Sequence, residues 1–332
     1  MLNKKVKLAK KIFEKDIEMV ATRQGYGEGL VIAGEKDERV VVLCADLTES
    51  TRSILFKERF PERFIEVGVA EQALATIAAG MANYGKIPFI SSYAVFSPGR
   101  NWEQIRTVVA LNDVPVKIAG AHAGLTVGPD GATHQMLEDI AIMRAMPNMT
   151  VIAPADAIET KKATIEAAKT EHPLYLRFAR EKTPVMTSEE TPFKIGRAEI
   201  FWEAKNPQAA IIACGPLVYE ALLAARELEK KGIEVLVINS HTIKPIDERT
   251  IIHSAKITGA VVTVEEHQTS GGLGGAVSEV LAKNYPTPME FIGMPDSFGE
   301  SGAPDELLEK YGMKAKDIIE AVKEVIQRKI NE

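Results

Sequence analysis

Between residues 66 and 135 the chain concentrates polar side chains among glycines and small apolar residues. Three stretches carry them: EVGVAEQALATIAAGMA from Glu66, SSYAVFSPGR from Ser91 and AGAHAGLTVGPDGATHQ from Ala119. Glu71 falls just ahead of a run of small helix-forming residues, which places it in the first turn of a helix. A carboxylate there complements the positive end of the helix dipole whether or not it does chemistry. The segment Gly120–Gln135 is too long and glycine-rich for a plain connection, and it carries His122, Asp130 and His134. Loops that follow parallel strands are where α/β proteins place their sites, so the two histidines read as functional and not as core.

Other motifs carry less. GYGEGL (Gly25–Leu30) and TSGGLGGAV (Thr269–Val277) miss the dinucleotide spacing and read as tight turns or helix packing. Glu265, Glu266 and His267 are consecutive, and adjacent residues rarely converge on one metal ion, so they read as a polar strand end. No Walker A lysine motif, HExxH or GxSxG elbow is present.

Apolar β-rich runs alternate with longer helical patterns, which predicts parallel sheets with helical crossovers. Strands are expected at 40–44, 88–91, 114–119, 150–153 and 174–178, with helices at 71–84 and 156–170. A proline-containing, weakly periodic stretch at 183–207 reads as a linker. The pattern then restarts with strands at 209–214, 234–238 and 260–265, a helix at 217–231 and another after the glycines at 271–275. The length of 332 residues suits two such α/β domains.

Composition excludes several classes. A hydrophobic fraction of 45% with 26% charged residues is that of a packed protein, and a net charge of −6 argues against a nucleic-acid binder. No apolar run is long enough to span a membrane. The N-terminal MLNKKVKLAKKIFEKDIEMV lacks a signal-peptide core and reads as an amphipathic helix. Two distant cysteines, Cys44 and Cys214, suggest buried thiols in a reducing, cytoplasmic setting with no metal cluster on this chain.

VGVAEQALATIAAGMA, GPDGATHQMLEDIAIMRAMPNMTVIAPAD, the opening ATRQGYGEGL and CADLTES resemble, in order, the C-terminal half of a transketolase. The resemblance implies two doubly wound α/β domains. Residues 1–190 would form the thiamine diphosphate pyrimidine-binding domain and 191–332 the transketolase C-terminal domain. The family's GDG motif, which grips the diphosphate through Mg or Ca, is absent from the sequence. That implies an N-terminal partner subunit carrying the GDG and the metal, in an α2β2 assembly.

The resemblance also implies roles. Glu71 would hold N1′ of the aminopyrimidine and favour the imino tautomer that takes the C2 proton, a task requiring a raised pKa or a shared proton. Tyr93 and Phe96 would surround the pyrimidine, with Asp46 and Leu47 beside the cofactor, while Gly99 stands where many members carry a further tyrosine. Arg23, Ser50 and Arg180 would bind the phosphate of a sugar phosphate, since forked guanidinium bonds orient a dianion. His122 and His134 would contact substrate oxygens and assist proton transfer, and Asp130 would bind a sugar hydroxyl.

The reaction implied is ketol transfer from a ketose phosphate such as xylulose 5-phosphate to an aldose phosphate such as ribose 5-phosphate. Two sister families share the architecture. The 1-deoxyxylulose-5-phosphate synthases typically read DRAG where this chain has AHAG, and the β subunits of 2-oxo acid dehydrogenases lack the GPDGATH pattern. A non-catalytic sugar-phosphate-binding subunit is the remaining alternative, against which Glu71 and His134 count.

Overall fold

The computed structural model describes residues 1–331. Eight strands precede residue 190: β1 (Met19–Ala21), β2 (Val40–Cys44), β3 (Phe64–Glu66), β4 (Ile87–Tyr93), β5 (Lys117–Ala121), β6 (Thr150–Ile152), β7 (Leu174–Arg177) and β8 (Lys182–Pro184). Six follow: β9 (Glu199–Trp202), β10 (Ala209–Ala213), β11 (Val235–Asn239), β12 (Thr242–Lys244), β13 (Val261–Gln268) and β14 (Met289–Met294). VVVLC in β2 and AAIIA in β10 are buried at every position. Continuous apolar runs of this kind suit parallel strands covered by helices on both faces.

The first sheet has the order β12-β6-β7-β5-β4-β2-β3 and the second β14-β13-β10-β11-β9. Both are parallel except for one antiparallel edge strand each, β12 and β9. This is the two-domain α/β architecture expected. β12 leaves the second half of the chain to extend the first sheet beside β6. One apolar cluster runs from Val41 and Leu43 through Met143, Met146 and Met149 to Ala210 and Ile212, so the sheets share a core.

Three local expectations are corrected. The first seventeen residues form no amphipathic helix beyond a short 3-10 turn at Lys4–Val6; Val6 and Ile12 bury against the second sheet's cluster as an irregular arm. The stretch 183–207 contains strand β9 and the end of β8, short edge strands whose pairing with β11 and β1 no periodicity announces. The strand expected from Val114 begins at Lys117, after Pro115.

GYGEGL lies inside the helix Thr22–Lys36. A Cβ on Gly25 would sit 1.9 Å from the Ala157 carbonyl oxygen, so glycine there lets the helix Ala157–Ala167 pack in contact. TSGGLGGAV is a turn entering the helix Leu273–Asn284.

The joint between sheets also holds a buried acid. Glu159 Oε1 accepts from Asn239 Nδ2 at 2.7 Å and Oε2 from the Ala155 amide at 2.6 Å. Burial, with Asp156 beside it, pushes its pKa from 4.5 up to about 8. The folded chain therefore keeps a proton that the unfolded chain releases. The stability it contributes is full below pH 4.5 and lost as pH rises through about 8. Glu159→Gln removes that term, and Asn239, whose Oδ1 has no partner among the described residues, can turn to accept from the new amide. The urea midpoint should fall between pH 6 and 9 by more in the parent than in the variant; parallel profiles would contradict the assignment.

Candidate active site

The carboxyl ends of β2, β4, β5 and β7 lie side by side, because Cys44 pairs with Ser91, Tyr93 with Ala121 and Gly120 with Arg177. Whatever follows these strands is delivered to one edge of the sheet. β2 delivers the loop Asp46–Thr51, β4 the turn Tyr93–Asn101, β5 the loop His122–Gln135 and β7 Arg180. The helix Thr22–Lys36 starts at the same edge with Arg23.

Arg23 Nη1 donates to the Ser50 carbonyl at 2.9 Å and lies 3.4 Å from His122 Nε2. Its contact with Ser50 is thus to backbone, and the Ser50 side chain remains half-buried beside it. His122 is 1% exposed, adopts a positive φ of 53°, and stacks on Tyr93 at 4.0 Å between centroids. Its Nδ1 is buried with no partner among the described residues. Burial, then the charges of Arg23 and Arg180, push its pKa down to about 3. His122 is therefore a neutral imidazole at physiological pH, a hydrogen-bonding group and a poor proton acceptor.

Phe96 lies 6.1 Å from Tyr93, nearly parallel at 20°, and meets the edge of His134 at 5.6 Å. One face of Tyr93 is already covered by His122, which leaves Phe96 the freer ring of the pair. His134 Nδ1 is 2.9 Å from the Thr133 hydroxyl. Arg180 Nη1 donates to the Val127 carbonyl at 2.7 Å and faces Asp130 and Glu181, each at 3.6 Å. Desolvation and the charge of Arg180 lower the pKa of Arg23, while Glu181 opposes them. Two guanidiniums facing one space favour an anion between them.

Glu71 opens the helix Glu71–Asn83 and is 4% exposed. Asn101 Nδ2 donates to its backbone carbonyl at 2.8 Å and to Ser97 Oγ at 3.2 Å, tying the start of this helix to the turn that bears Phe96. A Cβ on Gly99 would lie 2.0 Å from the Val95 carbonyl oxygen, so this turn as built admits no tyrosine there. Asp46 is exposed with φ 58°, and Leu47 is half-buried beside it.

Several organising residues escape a reading by spacing. Glu66 accepts from the Asp46 amide at 2.7 Å, Thr48 Oγ1 at 2.8 Å and the Gly68 amide at 3.1 Å, fixing two loops together. Its place at a strand end just before a glycine was the available signal. Asn101 and Gln135 act through contacts distant in sequence, which no local pattern exposes. Glu265, Glu266 and His267 are buried and bind backbone amides of Leu273, Gly274, Thr126 and Ala141. Among the described residues no group of His, Cys, Asp or Glu could hold a metal, and no helix is long and apolar enough to cross a membrane.

Residues 18–186 match the model of the transketolase pyrimidine-binding domain and residues 196–318 that of the transketolase C-terminal domain. A protein of Methanocaldococcus jannaschii named as a transketolase C-terminal section is 47% identical over 92% of this chain and 96% of its own length. A 6-deoxy-6-sulfo-D-fructose transketolase subunit of a Clostridium species is 40% identical over 96% of this chain and 98% of its own. A solved split-gene transketolase, described as an inactive beta4 tetramer, superposes with a TM-score of 0.87 at 45% identity, covering 93% of this chain and 99% of that one. Against mouse transketolase the chain covers 49% of the longer protein, at 35% identity.

Proposed function

The chain belongs to the transketolase family, and from that premise we propose that it is the C-terminal subunit of a split transketolase. It transfers a two-carbon ketol unit from a ketose phosphate to an aldose phosphate when joined to an N-terminal subunit in an α2β2 assembly. The observation that carries the reading is the convergence of Arg23, Arg180, Phe96, His134 and a buried His122, whose Nδ1 has no partner among the described residues, at one sheet edge.

The residues fit the pyrimidine end of thiamine diphosphate. Phe96 offers a flat apolar ring, Glu71 a buried carboxyl at a helix start, and Asp46 and Leu47 line the adjoining loop. When bound, thiamine diphosphate supplies the nucleophilic carbon that cleaves the ketose C2–C3 bond. Glu71 hydrogen-bonds the pyrimidine N1′ and favours its imino tautomer. His122 donates or accepts one hydrogen bond at a substrate oxygen without changing charge. His134, which is less buried, is the imidazole left to move a proton. Asp130 binds a sugar hydroxyl, and Arg23 with Arg180 orients the anionic end.

The diphosphate and its Mg or Ca belong to the partner, which carries the GDG motif that this chain lacks. Exposed apolar side chains near this edge and along the helix that Glu71 opens suit a subunit contact: Val69 two residues before Glu71, and Ile77 and Tyr84 two turns apart on and after the helix. The inactive beta4 tetramer formed by a similar chain also supports dependence on a partner.

A sulfonated ketose is the second substrate reading, favoured by the relative that acts on 6-deoxy-6-sulfofructose. Arginine variants separate the cases. Arg23→Ala or Arg180→Ala should lower kcat/KM for phosphorylated donors by about tenfold to a hundredfold, mainly through KM, because the anion contact persists into the transition state. Hydroxypyruvate, which has no such anionic tail, should lose much less. Equal losses with both donors would remove these arginines from the site, and a parent enzyme preferring the sulfonate would decide the second reading.

A further inference from the structure

We infer that Glu266, contributed by the second domain, is a positioning residue for substrate binding, because its carboxylate holds the loop that orients Arg180 and presents Asp130. The inference rests on the assignment of Arg180 and Asp130 to the substrate. It gives the second domain, which contributes none of the side chains gathered at the sheet edge, a definite part in the site.

Glu266 lies near the end of β13 and is 2% exposed. Its Oε1 accepts from the Thr126 amide at 2.5 Å. A Cβ on Gly124 would stand 2.4 Å from that same oxygen, so the carboxylate reaches the loop only because residue 124 is glycine. The next residue after Thr126 is Val127, whose carbonyl accepts from Arg180 Nη1 at 2.7 Å. One peptide unit therefore links the anchored amide to the group that aims the guanidinium, and Asp130 follows in the same short turn, Leu125–Asp130.

The Glu266 backbone is itself fixed, while Oε2 of its carboxylate is buried with no partner among the described residues. The Glu266 backbone carbonyl accepts from Arg177 Nη2 at 2.7 Å, and Arg177 Nε donates to Asp139 at 2.8 Å. Burial pushes the Glu266 pKa up, and the Arg177 charge with the Thr126 and Leu125 amides opposes that rise. The other side of this joint is not packed solid. Thr126 and Glu266 border a cavity of about 450 Å³ that is also lined by Ile17, Met19, Leu217 and Pro304. Burial alone does not pin the loop on that side, so the hydrogen bond from the Thr126 amide must.

Glu266→Gln and Glu266→Met occupy similar volumes, but only glutamine offers the Thr126 amide an acceptor. In the full chain, hydrogen exchange across residues 124–131 should accelerate about tenfold with methionine and stay near the parent rate with glutamine, while β2 and β10 are unchanged. With the GDG-bearing partner present, the methionine variant should raise KM for a phosphorylated donor about tenfold, leave kcat within about twofold, and be rescued by glutamine. Equal exchange in the two variants overturns the inference. Fast exchange everywhere, β2 included, also overturns it by making Glu266 a folding residue. Faster loop exchange with unchanged KM overturns instead the substrate assignment of Arg180 and Asp130.

Discussion

Glu71→Gln should lower ketol transfer by about 10²-fold or more in the assembled enzyme, with little change in thermal stability. Glutamine preserves the length of the side chain and leaves the helix start intact. The Asn101 hydrogen bond goes to the backbone carbonyl of residue 71 and survives the change. What disappears is a titratable group at a position that is 4% exposed. A helix-end carboxylate contributes typically 0.3–1 kcal/mol, roughly, to stability and nothing to a proton inventory. Near-normal turnover would return Glu71 to that role. A fall in turnover matched by a comparable loss of folded protein would make it structural.

The second large effect is on folding. Asp139 Oδ2 accepts from the Tyr175 hydroxyl at 2.7 Å and from Arg177 Nε at 2.8 Å, with Asp139 fully buried and Arg177 4% exposed. Burial works against the Arg177 charge, and Asp139 and then Glu266 more than offset it, so its pKa is raised. Asp139→Ala strands that guanidinium in the joint between the two sheets. The expected loss is about 3–5 kcal/mol in urea unfolding, the range for breaking a buried pair by removing one partner. A loss below about 1 kcal/mol, within the range of an exposed ion pair, would contradict the pairing.

These two residues differ in how visible they were. Glu71 stood out because a carboxylate precedes a run of small helix formers. Asp139 and Arg177 carry no local signature, since their partnership links β7 to a helix 38 residues away. The same division runs through the fold. Strands β2, β7, β10 and β11 and the helices after Glu71 and Val218 follow from apolar runs buried on both faces or along one stripe. The helix Thr22–Lys36 was hidden because all four of its glycines serve close packing and more than half of its residues are buried. The N-terminal arm alternates lysines with apolar residues like a helix, yet Leu2 bridges Trp202 and Lys7 turns left-handed, so tertiary contact overrides the pattern.

For the site, spacing alone pointed to His122, Asp130 and His134 on one loop. That Arg23 and Arg180, 157 positions apart, face the same space came from the resemblance, because register between strands is not written in either segment. The neutrality of His122 could not be read at all, since it arises from burial beside two arginines that only the fold assembles.

The central claim is that this chain holds half of a transketolase site. Its most direct test is ketol transfer from xylulose 5-phosphate to ribose 5-phosphate, with thiamine diphosphate and Mg²⁺, by the purified chain alone and after mixing with the GDG-bearing subunit. The account predicts no turnover alone and turnover that saturates at one partner per chain, with the two co-purifying. Full transfer by the 332-residue chain without a partner, or none with it, would contradict the account.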